Sequence, residues 1–154
     1  TRIAETRWAE PVFLKVAPDL DAAGIEAITE AVRRHHLSGL IVSNTTLARP
    51  ETLQGHHREE TGGLSGAPLF AASTEILKAF RRAAGPKLPI IGVGGVNSAE
   101  TAYAKIRAGA NAVQLYTALV YEGPGLVTKI RDGLAALVER DGFEALSEAV
   151  GVDI

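Results

Sequence analysis

Leu88-Pro-Ile-Ile-Gly-Val-Gly-Gly-Val-Asn-Ser98 and, fourteen positions on, Ala112-Val-Gln-Leu-Tyr-Thr117 decide how this chain folds. Pro89 to Val93 is short, apolar and β-branched, bounded by Pro and Gly, the pattern of a strand buried on both faces. Gly92, Gly94 and Gly95 leave its exit almost free of side chains. Asn97 or Ser98 can then cap a helix whose apolar positions Ala102, Tyr103 and Ile106 follow helical spacing. Gly109 is placed to close that helix, and a second buried strand, Ala112 to Tyr116, follows at once. Strand, glycine-rich turn, helix and strand make a parallel βαβ unit whose loops can hold an anion on backbone N–H groups.

The same alternation runs through the rest of the chain. Pro11 to Val16 is strand-like and apolar except for Lys15. Ala17-Pro18-Asp19-Leu20 turns the chain, and Asp21 can cap a helix with Ile25, Ile28 and Val32 on one face. Gly39 to Ser43 is the next strand. Residues 47 to 65 have no clean period, and so long a loop in a compact unit is usually functional. A helix follows from about Pro68 to Arg82, with Leu69, Ala72, Ile76, Leu77 and Phe80 as its buried stripe. Gly123-Pro124 begins another, with Leu126, Ile130, Leu134 and Leu137 facing in, stopped at Gly142. Leu146 to Val150 can add a final turn. Four strands, each followed by a helix, imply right-handed parallel crossovers. They form either a small open sheet or half of an eight-fold (β/α) barrel, which takes ~250 residues and binds phosphate after its last two strands.

Composition narrows the function. A chain of 154 residues can bury a substantial core. A net charge of -2 gives no broad basic face for nucleic acid or an anionic membrane. The absence of Cys excludes disulfides, a thiol nucleophile and Cys-ligated metal. No apolar run approaches the ~18 residues of a spanning helix, and nothing resembles a signal peptide. Residues 1–10 carry Arg2, Glu5, Arg7 and the only Trp, and are expected to be the end of an upstream helix or linker; residues 11–154 are expected to form one domain.

Polar groups gather where the strands end. There stand Lys15, then Ser43-Asn44-Thr45, then Gly94-Gly95, then Tyr116-Thr117, at the edge where parallel α/β folds bind ligands. Lys15 is either an edge lysine reaching solvent or a fixed positive charge for an anionic cofactor. Asn44 and Thr45 offer an amide and a hydroxyl that suit a planar ligand edge or, equally, a plain turn. Ser65-Gly66 leads towards a helix whose N-terminus could hold phosphate. The histidines come as His35-His36 and His56-His57, and adjacent residues point in different directions, which is poor metal geometry. Glu59-Glu60 has no fixed partner and is expected to be solvated.

The segments Val12-Phe-Leu-Lys-Val-Ala-Pro-Asp-Leu20, Gly39-Leu-Ile-Val-Ser-Asn-Thr-Thr46, Glu60-Thr-Gly-Gly-Leu-Ser-Gly-Ala-Pro-Leu69, Pro89-Ile-Ile-Gly-Val-Gly-Gly-Val96 and Ala112-Val-Gln-Leu-Tyr-Thr-Ala-Leu119 together resemble class 2, quinone-linked dihydroorotate dehydrogenase. They occur in that family's order and cover nearly all of the chain from Pro11 on. The resemblance is to its C-terminal half, strands five to eight of a (β/α)8 TIM barrel that binds FMN. It implies that Lys15 lies by the flavin pyrimidine ring and stabilises the negative charge gathered there on reduction. It implies a flavin contact for Ser43, and carboxylate or ring-edge recognition of dihydroorotate for Asn44 and Thr45. Ser65, Gly66, Gly94, Gly95, Tyr116 and Thr117 are the implied cradle for the FMN phosphate and ribityl chain.

The resemblance also implies what this stretch does not carry. The family's catalytic serine base matches nothing from residue 1 onward, and Ser43 and Ser65 match binding positions instead. The expected role is therefore half of an enzyme of pyrimidine biosynthesis that oxidises dihydroorotate to orotate and passes electrons to quinone, inactive alone. The full-length enzyme is expected to sit peripherally on the cytoplasmic side of the inner membrane, with quinone entering through an N-terminal region. This half is expected to be soluble and to pair with the N-terminal half-barrel or with itself. Val12, Leu14, Ile41, Ile91 and Val113 have a strand parity or position that could line the face involved. Two rival readings remain: another phosphate- or flavin-binding (β/α) barrel enzyme, and a non-catalytic half-barrel assembly module. Asn44-Thr45 and Gly62-Gly63-Leu64-Ser65-Gly66 argue against the first, and flavin binding separates the second.

Overall fold

The computed structural model describes residues 10–154. The expectation for residues 1–10 therefore lies, Glu10 apart, outside the described residues. Strands β1 (Phe13–Val16), β2 (Gly39–Val42), β3 (Ile90–Val93) and β4 (Ala112–Gln114) form one sheet in the order β1-β2-β3-β4. Every pairing is parallel. Helix α1 (Ala22–Arg34) links β1 to β2, and α2 (Phe70–Ala84), entered through a 3-10 turn at Ala67–Leu69, precedes β3. Helix α3 (Ala99–Arg107) links β3 to β4; α4 (Thr117–Glu122), α5 (Gly125–Arg140) and a 3-10 turn at Leu146–Ala149 follow. Sequential parallel strands with intervening helices are the architecture of half a (β/α)8 barrel.

Local chemistry sets the element ends. Asp21 Oδ1 accepts the Gly24 N–H at 2.8 Å to start α1. Ser98, not Asn97, caps α3 in a reciprocal arrangement with Thr101. Arg81 is buried and clamps the sheet's lower end. Its guanidinium donates to the carbonyls of Gly85 at 2.8 Å, Leu88 at 2.8 Å and Gly109 at 2.6 Å, and to Asn111 Oδ1 at 2.7 Å. Asn111 Oδ1 also accepts the Ile90 N–H at 2.9 Å, which ties the starts of β3 and β4 together.

The helices cover one face of the sheet. Val16, Leu40, Val42 and Ile90 pack there against Ile25, Val32, Leu77, Phe80, Tyr103 and Ile106. Because paired residues of a parallel sheet share a face, the registers Lys15↔Ile41 and Ile41↔Ile91 put Lys15, Ile41 and Ile91 on the other face. This corrects two sequence expectations: Leu14 and Val113 alternate onto the helix-packed side and join its core. The stripe of α2 also differs. Ala72 is exposed while Ser73 and Thr74 are buried, because both hydroxyls reach the Phe70 carbonyl at the start of the helix and Ser73 also reaches the Gly94 carbonyl. Strand β4 stops at Gln114, short of Tyr116, since Thr117 already opens α4.

Candidate functional site

The C-terminal ends of the four strands meet around one cavity of about 790 Å³. Lys15, Ser43, Asn44, Thr45, Ser65, Gly66, Gly94, Gly95, Tyr116 and Thr117 all line it. Lys15 is the penultimate residue of β1 and projects from the face that the helices leave open. The backbone beyond β2 continues the ladder, with Asn44 N–H donating to the Val16 carbonyl at 2.7 Å and Ser43 N–H to the Val93 carbonyl at 3.2 Å.

These side chains are already oriented. Ser43 is only 1% exposed, and its hydroxyl donates to the Asn44 carbonyl at 2.9 Å, so what it offers a ligand is acceptor capacity. Asn44 Oδ1 accepts the Thr45 N–H at 3.0 Å, which fixes the amide plane and leaves its NH2 group to donate. Asp19 holds the next residues: it accepts the Thr46 hydroxyl and, at 3.0 Å, the Leu47 N–H. Thr46 and Leu64 form an antiparallel bridge that folds the long loop back over Thr45. There Gly63 comes so close that a Cβ would stand 2.0 Å from Thr45 Oγ1. The loop then reaches the far side of the cavity, where Thr117 Oγ1 donates to Ser65 Oγ at 3.1 Å.

The floor is the glycine turn. Gly94 and Gly95 have φ of 104° and 73°, in the region that disfavours side chains. A Cβ on Gly95 would lie 2.5 Å from Phe70 Cβ, and one on Gly94 would lie 2.7 Å from Ser73 Oγ. The turn therefore seats its backbone directly on the start of α2 and presents main chain to the cavity. A cation, an amide NH2, two hydroxyls and bare backbone form a donor set suited to a polar, anionic ligand with a planar edge. FMN, with its phosphate and flavin ring, fits that set. Among the described residues, no group of three or more His, Cys, Asp or Glu side chains could hold a metal ion. The four histidines are exposed, and His57 meets only Glu60, at 2.5 Å on the surface.

Three residues important to this geometry escape sequence reasoning. Asp19 looked like turn chemistry, and its reach to Thr46 and Leu47 is set by the parallel pairing of β1 and β2. Ser73 took the place expected for Ala72. Lys105 is completely buried beneath the turn, with Nζ donating to Ser73 Oγ at 2.6 Å. Its position three residues after buried Ala102 was the available signal, because that spacing lies on the inward face of α3.

A polar cavity at the C-terminal edge of a half (β/α)8 barrel stands where barrels of this class carry their ligand sites. The family model described as dihydroorotate dehydrogenase matches residues 1–138, and the chain belongs to that family. Over 152 residues it is 53% identical to a dihydroorotate dehydrogenase (quinone) of Parvibaculum lavamentivorans, covering 99% of this chain and 44% of the relative. Another relative of the same name, from Cereibacter sphaeroides, is 57% identical over 141 residues, 92% of this chain and 40% of its own length. The crystal structure of ligand-free DHODH from Eimeria tenella superposes with a TM-score of 0.88 at 39% identity, covering 92% of this chain and 39% of that one. The chain thus spans about two-fifths of the length of the curated relatives it matches.

Proposed function

We propose that this chain is the C-terminal half-barrel of an FMN-dependent, quinone-linked dihydroorotate dehydrogenase and carries most of the FMN cradle and part of the substrate site. The observation that carries the reading is the convergence of the strand-end residues on one cavity floored by main chain. FMN, when bound, supplies the two-electron acceptor for oxidation of dihydroorotate to orotate, and quinone takes the electrons onward. Gly66, Gly94, Gly95, Tyr116 and Thr117 hold the phosphate and ribityl chain, with Ser65 bracing Thr117. Lys15 faces the ring and opposes the negative charge of the reduced state. Asn44 and Thr45 orient dihydroorotate by donating to its carboxylate or ring edge.

No residue of this set is placed to take the substrate proton. The base belongs to the remainder of the barrel, as do the quinone entrance and the peripheral contact with the cytoplasmic side of the inner membrane. No described helix is long and apolar enough to cross a membrane. The chain alone is expected to bind flavin without turning over dihydroorotate. Titration of the purified chain with FMN and with riboflavin, followed by flavin fluorescence, tests this. Tighter binding of FMN, lost in Gly95→Val, supports the cradle. Equal or absent binding of both flavins overturns it and favours a non-catalytic assembly module.

A further inference from the structure

Directly behind the glycine turn lies a buried ammonium group. Lys105 is 0% exposed; its Nζ donates to Ser73 Oγ at 2.6 Å and stands 5.1 Å from the centre of the Phe70 ring. Ser73 Oγ lies 3.1 Å from both the Gly94 and the Phe70 carbonyls, which share its one proton. Phe70 and Ser73 are also the two residues on which Gly94 and Gly95 are seated. Ammonium, hydroxyl and glycine turn thus form one connected path from the core to the cavity floor.

Lys105 pairs with no carboxylate among the described residues. Desolvating an ammonium without a counter-ion costs several kcal/mol, and a Met or Leu would fill the same space at no such cost. Neighbouring elements supply no compensation. On α2, Glu75 and Lys78 pair with each other, Arg81 is held by Gly109 and Asn111, and Arg82 is exposed. Strands β3 and β4 carry no titratable side chain. On α3 itself Glu100 is exposed, and Arg107 pairs with Asp141 and Asp153. Lys129, Arg131, Asp132, Glu139 and Arg140 of α5, and Glu148 of the last 3-10 turn, are all exposed.

We propose that Lys105 is the buried counter-charge of the anion site at Gly94–Gly95, a positioning residue that strengthens phosphate binding through Ser73 and the turn without touching the ligand. The inference rests on the reading of this cavity as an FMN site. A charge buried in a low-dielectric interior is screened little by water, so it acts on an anion seated just beyond the turn. Burial also draws the Lys105 pKa down to about 7. A phosphate bound beyond the turn would favour the protonated form of this group.

The test uses the full 154-residue chain. FMN and riboflavin are titrated into wild type and Lys105→Met, and calorimetry at pH 7.5 in buffers of different ionisation enthalpy counts protons. Wild type should take up a fraction of a proton with FMN and none with riboflavin. Lys105→Met should lose that uptake and bind FMN about tenfold more weakly, with riboflavin affinity unchanged. If wild type prefers FMN but Lys105→Met keeps the same affinity and proton count, the inference fails and the site stands. A wild type that binds FMN no better than riboflavin overturns both. Should Lys105→Met lose its cooperative melt, Ser73→Ala decides in its place: weaker FMN binding with riboflavin affinity kept supports the proposal, and an unchanged preference for FMN overturns it.

Discussion

Thr117 Oγ1 donates to Ser65 Oγ at 3.1 Å, across 52 positions of sequence. This one bond joins the end of the long loop after β2 to the first residue of α4, and it closes the cavity on the side opposite Lys15. Both groups are solvent-accessible, so the bond contributes little to folding; its effect is to fix the two hydroxyls before a ligand arrives, with the Ser65 hydroxyl left to donate and Thr117 Oγ1 to accept.

That preorganisation gives the first prediction. Ser65→Ala and Thr117→Val should each leave the melting temperature nearly unchanged and weaken FMN binding several-fold. The double variant should be little worse than either single one, because both break the same bond. Fluorescence titration of the four proteins checks this; multiplicative losses would mean that the two hydroxyls act separately.

Arg81 gives a prediction about stability. Its guanidinium satisfies the carbonyls of Gly85, Leu88 and Gly109 together with Asn111 Oδ1. Arg81→Leu leaves the three carbonyls without this donor where water does not easily reach, while Asn111 Oδ1 keeps the Ile90 N–H, at a cost of about 3 kcal/mol or more. Arg82→Leu, one position on and exposed, should stay within about 0.5 kcal/mol of wild type. Chemical denaturation of both variants measures the contrast.

How far the sequence shows this clamp and this site depends on the range of the interactions. The strands, the capping Asp21 and the glycine turn rest on local periodicity and backbone chemistry, and they stand where the spacing put them, β1 beginning two residues later and β4 ending two residues earlier than expected. The gathering of Lys15, Asn44, Gly95 and Thr117 follows from parallel order, since every parallel strand delivers its C-terminal end to the same edge. Arg81 is not legible, because a charged residue in a helix is ordinarily solvated and only tertiary packing turns it inward; Lys105 leaves only its spacing from buried Ala102 as a signal. The faces of Leu14 and Val113 were misassigned for a similar reason. Both strand faces are apolar, so alternation alone does not say which one meets the helices.

Lys105 also makes stability depend on pH. Its folded pKa, about 7, lies below the unfolded lysine value of about 10.4. Between those values the unfolded chain holds a proton that the folded chain lacks, so stability rises with pH through that window and levels off below it. Relative to Lys105→Met, wild type should gain about 2 kcal/mol between pH 7 and 9. The variant should be the more stable protein at pH 7. Parallel pH dependences for the two proteins would contradict a neutralised buried lysine.

Lys15 should act on the electronics of a bound flavin more than on its retention. Under the proposed function the phosphate would be held chiefly by main chain, whereas the Lys15 ammonium would oppose charge on the reduced ring. Lys15→Ala should lower the reduction potential of bound FMN by on the order of 30 mV, equivalent to about 1.4 kcal/mol for two electrons. FMN affinity should change no more than a few-fold. Redox titration beside fluorescence binding separates the two effects, and a large affinity loss at constant potential would place Lys15 on the phosphate instead.

The last prediction concerns the face of the sheet that no described helix covers. Ile41 and Ile91 pair in register there and are only partly buried, while β1 and β4 stand at the edges with one neighbour each. Unpaired strand edges beside an apolar face are a template for further pairing. Covering even ~400 Å² of apolar surface contributes about 10 kcal/mol, on the scale of a whole domain's stability of ~5–15 kcal/mol. The freedom lost on association takes back roughly 4–15 kcal/mol, so association is favoured where the covered area exceeds this minimum. In the full enzyme the first half of the barrel would cover this face; the 154-residue chain by itself should self-associate across it. Sedimentation at micromolar concentration should show a dimer or larger species, and Ile91→Lys should shift it towards monomer. A compact monomer with a cooperative melt, unaffected by Ile91→Lys, would show that the face is stable in water without a partner.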